Sequence, residues 1–278
     1  MLNLNSLLPP LRVHSWGGLG SQLNALAFTL DFLAISPGRR VHLVIHTGGV
    51  TRRYMEIAEI LPSNIIWREI NDFVHNANTQ KSKNGLRHFA SMLSSQLRII
   101  VFPERNRDFT KITLWTISSR GHYSYMSFSE NTIHKIFELI TKSSAESRNY
   151  ENVIHYRLGD LLSVGKGFVE SSNIIQLASS MGIKEWHVLT DSPGEARKMF
   201  NDLSSKHSIA DVYDLAPLAL IKTGVQSRIF VGTTSKLSIW ICVFRIHLNS
   251  GVTFMPKQLK ANLEQLFKGQ IPINLDFY

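Results

Sequence analysis

Three short segments combine glycine with charged or hydroxyl side chains in a spacing that suits anion binding. They are residues 15–22, 155–160 and 231–236. Glycine lets the backbone approach a ligand closely, and the N-terminus of a helix offers unpaired N–H groups and the positive end of a dipole to an anion. The spacing predicts that each segment is a turn after a strand, able to hold a phosphate group.

The first segment contains Gly17, Gly18 and Gly20, followed by Gln22. It does not match the dinucleotide-binding fingerprint, because Leu23 stands where the third glycine is needed, and no Gly-Lys-Ser/Thr follows as in a P-loop. A tight strand-to-helix turn without a ligand is the open alternative.

The second segment runs His155, Tyr156, Arg157, Leu158, Gly159 and Asp160. An arginine at a strand end can bind phosphate through two parallel hydrogen bonds and keeps its charge at every physiological pH. The alternative is an ion pair between Arg157 and Asp160 that closes the turn.

The third segment places Thr233, Thr234, Ser235 and Lys236 directly after Gly232. Hydroxyl groups and free amides at the start of a helix suit a phosphate. They also suit an N-cap, which is the more frequent use of such residues.

The elements that position these segments alternate between β-branched runs and helical periodicity, which predicts an α/β protein with parallel sheets. In the first half we expect strands over residues 11–14, 41–45 and 99–102, helices over 22–34 and 53–60, and a loop over 71–84. In the second half we expect strands over 153–156, 186–189, 210–213 and 228–231, with helices over 172–181 and 193–203 and from Pro217 and Lys236. In such sheets, ligands bind beyond the carboxyl ends of the strands.

A polar run over residues 142–149 is the candidate linker. We therefore predict two Rossmann-like lobes, residues 1–145 and 146–278, that face each other across a cleft. A final helix near residues 257–268 is a candidate to pack back on the first lobe.

Four motifs, taken in order, resemble those of the α-1,2-fucosyltransferases. The family typically shows Gly-Gly-Leu-Gly-Asn-Gln, His-x-Arg-Arg-Gly-Asp, a Ser-Asp-Asp stretch and Ser-x-Phe-Ser-Trp-Trp. This chain has related sequences at residues 17–22, 155–160, 189–192 and 232–240, and residues 120–123 resemble a further family stretch. The resemblance covers residues 13 to about 245, with departures such as Ser21 for Asn and Leu158 for the second Arg.

This resemblance implies a GT-B fold and transfer of fucose from GDP-fucose to a hydroxyl of a glycan, as in the synthesis of a surface polysaccharide or oligosaccharide. It implies that Arg157 binds the donor pyrophosphate, with Asp160 and His155 as further catalytic candidates. The residues expected to line the donor site are His155, Asp160, Asp191, Thr233, Thr234 and Ser235, with the loop of Gly17, Gly18, Gly20 and Gln22 reaching over from the first lobe. Two alternatives stay open: another nucleotide sugar, or a protein that binds a nucleotide or glycan without catalysis.

The sequence contains no Asp-x-Asp pair of the kind that holds a divalent metal beside a diphosphate. We therefore expect inverting transfer without a metal or cofactor, in which a basic side chain and helix N-termini stabilise the leaving diphosphate. His14, Asp160 and Glu170 are candidates for the general base, but for each of them a solvated or ion-paired role is the favoured interpretation.

The 30 basic and 21 acidic residues give a net charge of +9, and residues 1–145 carry 16 of the basic and 9 of the acidic side chains. Such an excess suits nucleic acid, an anionic membrane face or a phosphorylated small molecule. No basic-aromatic motif accompanies it, so nucleic acid is not the expected partner. A lipid-linked acceptor at a membrane face is one expected use, and a solvated surface is the other.

Cys242 is the single cysteine, so no internal disulfide is possible, and a reducing compartment is the natural location. No apolar run reaches the length of about 20 residues that a bilayer requires. We expect a cytoplasmic protein, with the inner face of a membrane as a candidate site of action.

Overall fold

The computed structural model describes residues 10–47, 54–70, 118–120, 127–159, 169–200 and 208–278. The chain divides into two compact units, Met1–Thr132 and Ile133–Tyr278. Each contains one parallel sheet with helices, so the predicted α/β class is confirmed.

The first unit contains a sheet of four strands in the order β3-β2-β1-β4. The strands are β1 (Leu11–Trp16), β2 (Val41–His46), β3 (Ile66–Ile70) and β4 (Ser118–Arg120). Helix α1 (Leu19–Ile35) connects β1 to β2, and a short 3-10 helix (Glu56–Ile60) precedes β3. Most of α1 is buried, and its Asp31 carboxylate accepts a hydrogen bond of 2.6 Å from the Ser129 hydroxyl.

The second unit contains a sheet of six strands in the order β7-β6-β5-β8-β9-β10. The strands are β5 (Asn152–His155), β6 (Glu185–Leu189), β7 (Ser208–Tyr213), β8 (Ile229–Val231), β9 (Val252–Met255) and β10 (Leu275–Phe277). All pairs are parallel. Counted along the chain, this order is 3-2-1-4-5-6, which is the strand order of the Rossmann fold.

The helices of the second unit alternate with its strands along the chain, and the first of them precedes β5. They are α2 (Glu130–Lys142), which crosses the division between the units, then α3 (Ser171–Ser180), α4 (Pro193–Met199), α5 (Pro217–Gln226), α6 (Lys236–His247) and α7 (Lys260–Leu266). A core of Tyr156, Trp186, Phe200 and neighbouring aliphatic side chains packs α3 and α4 against the sheet. The strands that follow β5 first extend the sheet on one side, as β6 and β7, and those from β8 onward extend it on the other side. The topological switch point therefore lies between β5 and β8.

Arg245 of α6 is fully buried and serves the packing of this unit. Its guanidinium donates to the carbonyl oxygens of Gly224, Val225 and Ser227 near the end of α5. It also donates to Val252 O in β9. Burial lowers its pKa to about 10, so the side chain stays charged at neutral pH.

The predicted strands of the second half and the helices from Pro217 and Lys236 are confirmed. The predicted helix at 53–60 is a 3-10 helix that begins at Glu56, and the predicted helix at 257–268 is a 3-10 helix (Lys257–Leu259) followed by α7. Elements β3, β4, α2, β9 and β10 were not predicted. The strand expected at 99–102, the loop expected at 71–84 and Asp160 lie outside the described residues.

The polar run at 142–149 is tied to α5. The Lys222 ammonium donates to the carbonyl oxygens of Ser143 and Ala145 at 2.7 and 2.8 Å, and Arg148 N donates to the Thr223 hydroxyl at 2.9 Å. The predicted boundary at residue 145, the cleft between lobes and the docking of the last helix on the first lobe stay predictions. Within the ranges described above, no helix is long and apolar enough to cross a bilayer.

Candidate functional site

Arg157 lies directly after β5, at the switch point of the second sheet. Its Nη1 lies 2.7 Å from Oδ2 of Asp191, a residue that follows β6, and the two side chains are 25% and 29% exposed. The other oxygen of Asp191 accepts the Leu158 N–H at 3.0 Å. Asp191 therefore fixes both the guanidinium and the backbone that carries it. The ion pair with Asp160 that the sequence suggested lies outside the described residues.

Gly159 completes this turn with a φ of +25°. A Cβ at this position would meet the carboxylate of Asp191. A side chain at residue 159 would therefore displace the carboxylate that orients Arg157.

His155, the last residue of β5, is 3% exposed. Its Nδ1 lies 2.7 Å from the Ser238 hydroxyl oxygen, and that oxygen accepts the Thr233 N–H at 2.9 Å. Burial, and then the positive charge of Arg157, lower the pKa of His155 to about 3. The ring is therefore neutral at physiological pH. Ser238 was not predicted individually, although it belongs to the fourth motif.

The β8–α6 turn, residues 232–235, follows β8, the strand that pairs in parallel with β5. A Cβ on Gly232 would meet Met255 Sδ, so a larger residue would have to displace the buried Met255 side chain. The Ser235 hydroxyl accepts the N–H groups of Leu237 at 3.1 Å and Ser238 at 3.3 Å, which makes it the N-cap of α6. Thr233 is 1% exposed. Thr234 and Ser235 are partly exposed, so these two residues carry the hydroxyl groups nearest the surface of the turn.

The β1–α1 turn, residues 17–20, is built differently. Gly17 has a φ of +110°, and the Leu19 N–H donates to the Glu56 carboxylate at 2.5 Å. The buried Gln22 side chain donates to Tyr54 O at 2.8 Å and accepts the Ile57 N–H at 3.0 Å. Its amide also donates to Gly17 O, at 3.2 Å. These contacts match the tight-turn alternative: the chain's own carboxylate lies at the helix N-terminus where a phosphate was expected.

Three aromatic rings stack at the carboxyl ends of β1 and β2. Trp16 and His46 are 4.3 Å apart between ring centroids, and His14 Nδ1 lies 2.8 Å from His46 Nε2. A hydrogen bond between two imidazoles needs one free lone pair, so this pair carries at most one positive charge. The sequence indicated His14 as a candidate base but not its partners. Glu170, the third candidate base, is exposed just before α3.

No cluster of three or more His, Cys, Asp or Glu side chains suited to a metal ion occurs in the part of the chain that the structure describes. Transfer without a metal stays a prediction.

Comparison with known protein families finds no match, and no curated protein sequence is similar to this chain. Among solved structures, E. coli heptosyltransferase WaaC with ADP-2-deoxy-2-fluoro heptose has a TM-score of 0.44 at 10% identity over 97% of this chain and 92% of its own. POFUT1 in complex with GDP has a TM-score of 0.37 at 11% identity over 88% and 98%. A glycosyl transferase family 9 protein from Veillonella parvula has a TM-score of 0.41 at 11% identity over 89% and 81%. Similarity at this level assigns no family, donor or acceptor to this chain.

Proposed function

We propose that the protein is a glycosyltransferase whose second unit binds the diphosphate of a nucleotide-sugar donor. The observation that carries this proposal is the position of Arg157. The residue lies at the switch point of a sheet with the Rossmann strand order, where open α/β sheets bind their ligands. The β8–α6 turn leaves the neighbouring strand at the same edge of the sheet.

The chemistry of the site supports transfer from a diphosphate leaving group. When the bond between the anomeric carbon and the diphosphate oxygen breaks, the electron pair stays on that oxygen. A fixed guanidinium stabilises this developing charge, because it cannot lose its proton and Asp191 holds its orientation. The acceptor hydroxyl forms the new bond to the anomeric carbon and releases its proton.

GDP-fucose is the donor that we propose first, and the support for it is the motif resemblance at residues 17–22, 155–160, 189–192 and 232–240. The same resemblance supports transfer to a glycan hydroxyl, and we propose that this transfer proceeds with inversion. The single cysteine, Cys242, supports a reducing, cytoplasmic location. The absence of Asp-x-Asp from the sequence supports a reaction without a metal. The basic excess of residues 1–145 would suit an acceptor that carries a lipid pyrophosphate.

Thermal unfolding with GDP, UDP, ADP and CMP, each alone and as its sugar conjugate, tests the proposal. A ligand at 100 times its dissociation constant adds about 2.7 kcal/mol of stability. We expect a stabilising shift with GDP and GDP-fucose that is lost in Arg157→Ala. A shift with UDP or ADP only would indicate a nucleotide-sugar donor other than GDP-fucose and would still support a glycosyltransferase. No shift with any nucleotide would contradict the proposal.

Release of GDP from GDP-fucose, followed with and without EDTA, separates an enzyme from a binding protein. We expect slow hydrolysis without an acceptor, at a rate that EDTA does not change. Loss of turnover with EDTA and its return with manganese would contradict transfer without a metal.

A further inference from the structure

The ring of His155 is almost wholly enclosed, although the residue lies at the end of β5 beside Arg157. We propose that His155 is a positioning residue that acts on the bound diphosphate through Ser238 and Thr233, by fixing the β8–α6 turn, and does not touch the nucleotide. This inference rests on the proposed function, because the turn matters to catalysis only if the second unit binds a nucleotide.

One arrangement of the hydrogen bonds gives both the Thr233 N–H and the Ser238 hydroxyl a close acceptor. Ser238 Oγ accepts the Thr233 N–H at 2.9 Å through one of its two lone pairs. Its hydroxyl proton then has His155 Nδ1 at 2.7 Å as the close acceptor, whereas the Thr233 hydroxyl is 3.5 Å away. In this arrangement Ser238 donates to Nδ1, and the proton of the ring lies on Nε2.

This arrangement connects three elements. His155 ends β5, Ser238 belongs to the first turn of α6, and Thr233 lies in the segment between β8 and α6. Removing the lone pair of Nδ1 leaves the buried Ser238 hydroxyl without its acceptor. The hydroxyl then rotates away from the geometry that receives Thr233 N–H, and an unpaired buried donor is costly.

The residues on both sides of Thr233 are held by other hydrogen bonds, so the contact with Ser238 is the one that sets the position of Thr233. Gly232 N donates to Phe254 O at 2.9 Å, and the Tyr278 hydroxyl donates to Gly232 O at 2.7 Å. Downstream, Ser235 caps α6. Thr233 lies between these two fixed points, so the direction of its N–H sets the path of Thr234 and Ser235.

Two near-isosteres of histidine separate action through Nδ1 from action through Nε2. The side-chain oxygen of asparagine takes the place of Nδ1, and the terminal amide of glutamine takes the place of Nε2. We expect His155→Asn to keep GDP affinity within about threefold of wild type. His155→Gln and Ser238→Ala should each weaken it about tenfold, the loss expected when a buried hydrogen-bonding group loses its partner.

The double variant His155→Gln/Ser238→Ala tests whether the two residues act in series. If they do, the double variant binds GDP no more weakly than Ser238→Ala alone, because the contact is already lost. Ser180→Ala is the matched control: Ser180 lies on an exposed helix position, where its hydroxyl donates to Leu177 O. Each dissociation constant is measured by isothermal titration calorimetry, at a temperature below the lowest unfolding midpoint among these variants.

Retention of affinity in His155→Gln with loss in His155→Asn would overturn the inference, because it would mean direct contact through Nε2. Additive losses in the double variant, or unchanged affinity in all variants, would also overturn it. Should Ser238→Ala fail to fold, Ser238→Thr, which keeps the hydroxyl, and Ser238→Cys replace it in the same comparison. Wild-type protein that binds no nucleotide contradicts both the proposed function and this inference, whereas wild-type binding with any other variant pattern contradicts the inference alone.

Discussion

The β1–α1 turn and the β8–α6 turn have the same plan in the sequence, a strand, glycine and then a helix, but they treat the helix N-terminus in opposite ways. At α1 the cap residue is Gly18, and the carboxylate of Glu56 approaches the Leu19 N–H. At α6 the cap is the neutral hydroxyl of Ser235. The first turn therefore holds a negative charge of the chain itself, and the second does not need one.

The charge next to each turn follows the same division. A phosphate arriving at α1 would meet Glu56, and the two negative charges would repel each other. A phosphate arriving at the end of β8 would lie near the strand end that carries Arg157. Glycine before a helix thus identifies a sharp turn, and the neighbouring charge decides whether that turn accepts an anion.

The largest expected effect is that of Arg157→Ala on the second unit. Loss of a guanidinium from the leaving diphosphate should cost about 2–4 kcal/mol of transition-state stabilisation, which is about 30- to 1,000-fold in turnover. Arg228→Ala is the matched control, because Arg228 is exposed just before β8, at the opposite edge of the same sheet. Steady-state release of GDP measures the turnover of both variants. Near wild-type turnover in folded Arg157→Ala would contradict the assignment of Arg157 to the diphosphate, and the functional difference between the two turns would be lost.

Gln22→Ala tests whether the β1–α1 turn is structural. The substitution leaves the buried Ile57 N–H without its partner and frees Tyr54 O and Gly17 O. We expect a loss of about 2–3 kcal/mol in the free energy of unfolding, measured with urea, and no change in GDP affinity.

Gln226→Ala, at an exposed position of α5, is the control for this measurement. Unchanged stability together with weakened GDP binding would mean that Gln22 serves the donor, as the family resemblance implies, and the two turns would then share one function.

Much of the second unit could be predicted from the sequence, because its strands are short β-branched runs between helical segments of clear periodicity. Strand β3 was not predicted: it contains Trp67, Arg68 and Glu69 and is largely exposed, so it lacks the apolar pattern of a buried strand. The order of strands depends on contacts distant in sequence, and no local pattern encodes it.

The residues of the candidate site could likewise be predicted only in part from the sequence. Arg157 and Asp191 could be identified from their motifs, but their ion pair joins residues 34 positions apart, whereas local spacing offered only Asp160 as an alternative partner. The role of Glu56 could not be predicted, because nothing in its own segment indicates that it reaches the N-terminus of α1. Ser238 resembles any other serine in the first turn of a helix until its distance to His155 is known.

His155, at the end of β5, is expected to make the stability of the folded protein depend on pH. Burial holds the pKa of His155 near 3 in the folded protein, against 6.5 for the free side chain. Below about pH 6.5 the unfolded chain takes up a proton that the folded protein does not, so stability falls as the pH falls. Between pH 7 and pH 5 this should cost about 2 kcal/mol.

Urea unfolding at the two pH values measures this loss, and His155→Asn should show a loss smaller by about that amount. Ser180→Ala, which changes an exposed side chain that does not titrate, should keep the wild-type dependence. Equal pH dependence in His155→Asn and wild type would show that His155 is not the neutral buried group on which the β8–α6 turn depends.

The smallest expected effect is at the N-terminus of α1, where Glu56→Ala removes the carboxylate. Loss of a charged partner at a helix N-terminus costs about 1 kcal/mol. Sulfate should restore part of this loss, because an external anion can then take the place of the carboxylate at the Leu19 N–H. Sulfate also stabilises proteins in general by exclusion from their surface, so the informative quantity is the gain relative to Glu59→Ala, which changes an exposed glutamate of the same 3-10 helix. If Glu56→Ala is as stable as Glu59→Ala, or gains no more from sulfate, the carboxylate does not occupy an anion-accepting position and the two turns do not differ in the way argued above.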